Sequence, residues 1–70
     1  MVKAQTYAGV TRVLRAHGWV LLRRAKGSHE IWGRPGSATE RGSVPHHRVV
    51  SAGVVRQLAT ALGFTPDEWL

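Results

Sequence analysis

Four histidines, His17, His29, His46 and His47, are the side chains of this sequence best suited to move protons near neutrality, and the chain has no cysteine. A neutral imidazole can take a proton from one oxygen and return it to another. That chemistry suits cleavage of RNA through its own 2′-hydroxyl, which needs no metal where cations stabilise the phosphorane-like charge. Arg23, Arg24 and Lys26 stand just ahead of Gly27-Ser28-His29, so cations and backbone amides are to hand around a phosphate. His17 closes a helical pattern, where a cation meets the helix dipole, and its expected role is capping. His46 and His47 are adjacent and, in an extended segment, point to opposite faces, a poor arrangement for chelating one ion. With no thiolate and no nearby acid, no metal or other cofactor is expected. His29 is the candidate for chemistry; its context equally admits a phosphate contact or an ordinary strand residue. The scattered acids form no Ser-His-Asp arrangement, and Gly33, Gly36 and Gly42 fit turns rather than a phosphate-binding fingerprint.

The charge is one-sided. Residues 1–29 hold Lys3, Arg12, Arg15, Arg23, Arg24 and Lys26 and no acid, whereas beyond them four arginines balance four acids, so the formal +6 lies in the first part. Such asymmetry is the electrostatic footprint of a nucleic-acid partner, favoured here over an acidic protein partner or mere solubility. The 70 residues amount to one domain, spanning 1–70, with a small core drawn from its tryptophans, valines and leucines. No apolar run reaches the length of a membrane span, and Met1–Gln5 lacks the apolar region of a secretory signal, so a soluble cytoplasmic protein is expected.

The elements that must position these histidines can be read from periodicity. Tyr7, Val10, Val13, Leu14 and His17 share one helical sector, with Thr6 as cap and His17-Gly18 as stop. Trp19–Arg24 and His29–Arg34 read as strands joined by a turn at Ala25–Ser28. Neither alternates cleanly, and Ile31 and Trp32 have opposite parity, so the buried face is undetermined. Pro35–Gly42 reads as a mobile loop. A third strand falls around Ser43–His46, at a sheet edge because proline cannot donate to a ladder. A second helix buries Val54, Val55, Leu58, Ala61 and Leu62 and stops at Gly63. Thr65-Pro66-Asp67-Glu68 opens a last turn, with Thr65 as cap, that docks Trp69 and Leu70. The order is α-β-β-β-α: a small α+β domain with a three-stranded antiparallel sheet packed on two helices.

Together, His17-Gly18-Trp19, Arg23–His29, Val44-Pro45-His46-His47 and Gly53–Leu58 followed by Ala61-Leu62-Gly63 resemble the HicA toxins. The resemblance runs from about Val10 to Pro66. It implies a fold like that of double-stranded RNA-binding domains, and an mRNA interferase of a toxin–antitoxin pair. It further implies that His29 is the catalytic residue of a metal-independent endoribonuclease, and that a HicB-type antitoxin covers this site. Arg23, Arg24, Lys26, Gly27 and Ser28 are then the RNA-binding set. A second proton-transfer group is needed, and the Val-Pro-X-His pattern puts His47 ahead of His46. Val54 and Trp32 depart from the family, which often has Thr and Tyr there; Trp32 is read as a core or a base-stacking ring. The alternative from the same features is a non-catalytic RNA-binding module.

Overall fold

In a computed structural model describing residues 1–70, the chain opens with a short strand β1 (Gln5–Thr6) that runs into helix α1 (Tyr7–Ala16). Thr6 starts the helix because its side-chain oxygen accepts the Gly9 N–H at 3.0 Å. Gly18 ends the segment with φ +84, a backbone open to glycine at little cost. Arg34 then reaches back to the His17 carbonyl at 2.7 Å, satisfying a helix-end acceptor.

Strands β2 (Val20–Arg24), β3 (His29–Gly33) and β4 (Arg41–Pro45) form an antiparallel sheet in that order, so β4 with its proline is an edge strand as expected. A bulge between Leu21 and Arg23 sets the faces. Leu21 pairs with Trp32, yet Arg23 rather than Leu22 pairs with Ile31, and Arg24 pairs with Glu30. Cross-strand partners share a face and alternate residues along a strand share one. Glu30 and Trp32 therefore face the helices, while His29, Ile31 and Arg23 face away. The bulge is why neither strand shows clean alternation in the sequence.

The 35–40 stretch is better tied than its composition implies. Arg34 Nε donates to both Glu40 carboxylate oxygens at 3.0 Å, and Ser37 Oγ accepts the Glu40 N–H at 3.0 Å. Beyond β4, strand β5 (Val49–Val50) pairs with β1, and helix α2 (Ala52–Leu62) follows, capped by Ser51. Neither the β1–β5 pair nor the Ser51 cap was expected, since two-residue strands leave no period to read. On α2 the buried stripe is Val55, Leu58 and Ala59, with Val54, Ala61 and Leu62 only half buried at its margin. Gly42 lies on the helix-facing side of β4, where a Cβ would come within 2.8 Å of Leu58. The absent side chain is what lets α2 lie close against the strand.

The last turn (Asp67–Trp69) is a 3-10 helix in which Pro66, not Thr65, takes the cap position, with no side-chain hydrogen bond. Trp69 is buried as expected, but Leu70 is half exposed rather than docked. The Lys3 N–H donates to the Trp69 carbonyl at 2.8 Å, so the two chain ends meet. Trp19, Trp32 and Trp69 are fully buried together with Leu14, Val44 and Leu58 between the sheet and the two helices. The architecture is the α+β arrangement expected: a three-stranded antiparallel sheet with two helices.

Candidate functional site at the histidine end of the sheet

The turn between β2 and β3 is closed by backbone bonds from Ala25 N–H to the His29 carbonyl (2.8 Å) and from His29 N–H to the Lys26 carbonyl (3.3 Å). Gly27 supplies its positive φ of 67. Across the ladder, the His46 N–H donates to the Ser28 carbonyl at 2.8 Å, so the start of β3 and the end of β4 are fixed side by side. Ser28, His29, His46 and His47 thus gather at one end of the sheet.

Their side chains diverge. His29 is exposed on the outer face, with Nδ1 hydrogen-bonded to Ser43 Oγ at 3.2 Å. His47 Nε2 is hydrogen-bonded to Ser28 Oγ at 2.8 Å. His46 turns toward the helices: its ring stacks on Tyr7 with centroids 4.2 Å apart and planes inclined by 20°. His46 Nδ1 also lies 3.3 Å from Glu30 Oε2. His17 stands apart at the end of α1, edge-on to Phe64 at 4.9 Å.

The basic residues named from the sequence also divide between the two faces. Arg23 shares the outer face with His29. Arg24 faces the other way, and its Nη1 donates to Glu30 Oε2 at 3.1 Å. Lys26, Gly27 and Ser28 are exposed in the turn. Trp32 is a core residue: it is fully buried and its indole N–H donates to Glu30 at 3.0 Å, which excludes it as a base-stacking surface.

Glu30 is the residue that sequence reasoning missed. It is 2 % exposed, and one oxygen accepts from Tyr7 Oη (2.6 Å) and Trp32 Nε1 (3.0 Å) while the other faces Arg24 and His46. Burial alone would raise its carboxyl. Hydrogen bonds from Tyr7 and Trp32, with the fields of His46 and Arg24, more than offset that and hold it below its ordinary value. The Tyr7 hydroxyl is pushed up to about 12, first by burial and then by its bond to Glu30 and that carboxylate's charge. The signal for this hub was available, since Glu30 is the first acid in the chain and alternates with Trp32 in a strand. What the sequence did not give was the face.

A shallow depression of about 550 Å³ opens beside this end of the sheet, lined by Thr6, Tyr7, Ala8, His46, His47 and Arg48. A second of about 310 Å³ lies between α2 and the chain ends, lined by Val2, Ala59, Phe64 and neighbours.

Fold and site define a small basic α+β protein with an exposed histidine cluster at one end of an antiparallel sheet. Residues 8–64 match the family described as the HicA toxin of bacterial toxin–antitoxin systems, and the chain belongs to that family. It is the toxin component of such a pair, which implies a cognate antitoxin. No curated protein and no solved structure matches the chain. No helix is long and apolar enough to cross a membrane.

Proposed function

We propose that this toxin is a metal-independent endoribonuclease acting on mRNA in the cytoplasm, through one domain spanning 1–70, with His29 as its catalytic residue. The observation that carries this reading is the hydrogen bond between His47 Nε2 and Ser28 Oγ, which sets a second imidazole against the residue preceding His29. His29 takes the proton of a ribose 2′-hydroxyl, and that oxygen attacks the adjacent phosphorus. The P–O5′ bond breaks, and His47 gives its proton to the departing 5′-oxygen, leaving a 2′,3′-cyclic phosphate. Arg23, Lys26 and the backbone amides of Gly27 and Ser28 stabilise the charge on the phosphorane; Arg24 contributes from the far side of the strand, restrained by Glu30. His47 is preferred to His46 as the second group because Glu30 and Tyr7 already engage His46.

The partner is a HicB-type antitoxin that covers the His29 region. Its covering surface is acidic or rich in acceptors, since burying Arg23 and Lys26 unpaired would be costly.

The test is cleavage of a purified mRNA in chelator-containing buffer by parent, His29→Ala and His47→Ala proteins, each checked for folding by circular dichroism. The expected outcome is loss of cleavage in His29→Ala and a rate lower by about 10²–10⁴-fold in His47→Ala. Parent-like cutting by His29→Ala would sink the catalytic assignment. RNA binding by the parent with no cutting would favour a non-catalytic RNA-binding module.

A further inference from the structure

Of the residues lining the depression between the start of α1 and the β4–β5 corner, His47 alone enters the cleavage scheme, and its bond with Ser28 connects the hollow to the Ser28-His29 turn. Its wall is an aromatic column with one end free. Tyr7 covers one ring face of His46, yet the His46 side chain is 54% exposed, which leaves ring surface for a ligand to meet. Both rings are held before any ligand arrives: the Tyr7 hydroxyl is anchored on Glu30 at 2.6 Å, and His46 Nδ1 sits beside the other oxygen of that carboxylate. A fixed stacking platform loses little freedom on binding. Arg48 lines the same depression, is exposed, and has no acid within ion-pairing distance. No carboxylate lines the hollow.

An open π-face beside an unpaired guanidinium, in a concavity free of acids, fits one nucleotide of a single strand. The base stacks and the phosphate meets the cation. We propose that this depression is a nucleotide subsite, in which His46 stacks the base of a residue flanking the cleaved bond and Arg48 holds that residue's phosphate. The inference rests on the RNA-cleaving reading and adds to it the substrate's path away from His29. Stacking tolerates any base, so the subsite fixes position more than sequence.

The experiment uses the His29→Ala protein, so that RNA survives, and a short mixed-sequence single-stranded RNA followed by fluorescence anisotropy. Adding His46→Ala is expected to weaken binding about 5- to 150-fold. Adding His46→Phe, which keeps a ring but not the nitrogen facing Glu30, is expected to retain most of the affinity. Adding Arg48→Ala is expected to lower the slope of log affinity against log salt by about 0.7. An RNA abasic at the stacked position should make His46→Ala nearly silent. Affinity unchanged by His46→Ala, or lost equally in the Ala and Phe variants, overturns the stacking subsite while leaving the cleavage reading intact. Loss of antitoxin capture with RNA affinity unchanged overturns it too and gives the hollow to the protein partner. If the His29→Ala protein binds no RNA at all, the subsite falls, while cleavage of mRNA by the parent decides the catalytic reading separately.

Discussion

Glu30 holds the Tyr7 hydroxyl, the Trp32 indole, Arg24 and His46 around one buried carboxylate, so changes at this single residue have the most to reveal. Its carboxyl is held below its ordinary value of 4.5 in the folded chain, so it stabilises the fold above that pH. The contribution is lost as pH falls through the lower folded value. Glu30→Gln is therefore expected to lower stability at neutral pH by roughly 1–3 kcal/mol, because the amide keeps one oxygen for Tyr7 and Trp32 but loses the charge and turns a buried N–H donor toward Arg24 and His46. It should also flatten the decline below 4.5, as urea titrations at several pH values would reveal. An undiminished acid decline in the variant would discount the hub. Tyr7 has the opposite sense: its raised value means that stability is present below 10 and lost as pH climbs through about 12. As the chain has one tyrosine and its tryptophans do not ionise in this range, the pH-dependent rise in near-ultraviolet absorbance follows Tyr7 alone. The expected midpoint is about 12, and a midpoint at 10 would show that neither the burial of Tyr7 nor its bond to Glu30 persists in solution. The sequence marked His29, Ser28 and His47 through their neighbours along the chain. Glu30 and Tyr7 escaped because 23 positions separate them and only the fold brings them together.

Helix α1, the β2–β3 hairpin and α2 were all legible, because each carries its own punctuation: Thr6 and Gly18, the Ala25–Ser28 turn, and Gly63. The features that escaped depend on pairing between distant segments. The β1–β5 contact joins residues whose short runs have no period, and the bulge at Leu22 hides a parity change that only the ladder reveals. That parity change matters to the site, because it moves Arg23 to the His29 face and leaves Arg24 on the other. Two glycines offer a paired test of the helix–sheet contact. A Cβ on Gly42 would meet Leu58 at 2.8 Å, whereas one on Gly53, in the first turn of α2, would meet nothing within 4 Å. Gly42→Ala is expected to destabilise by about 1–3 kcal/mol through overpacking. Gly53→Ala is expected to stabilise by up to roughly 1 kcal/mol, because it removes backbone freedom from the unfolded chain. Equal effects of the two in urea denaturation would contradict the close seating of α2 on β4.

The fold also rearranges the charge read from the sequence. The formal +6 is unevenly available, because Arg24 is neutralised against Glu30 and Arg34 against Glu40. Arg23 and Arg41 are unpaired, and by register both lie on the outer sheet face with His29 and Ser43. A strand of RNA approaching His29 along that face meets Arg23 free and Arg24 engaged. Counterion release makes this measurable, since each phosphate contact to a single strand adds about 0.7 to the slope of log affinity against log salt. In a His29→Ala background, Arg23→Ala is expected to reduce that slope by about one contact. Arg24→Ala should change it less and instead lower stability, because Glu30 loses a counter-charge. Equal slope changes for the two arginines would mean that RNA displaces Glu30 from Arg24 on binding. The ligand would then be opening the hub by drawing Arg24 away from Glu30.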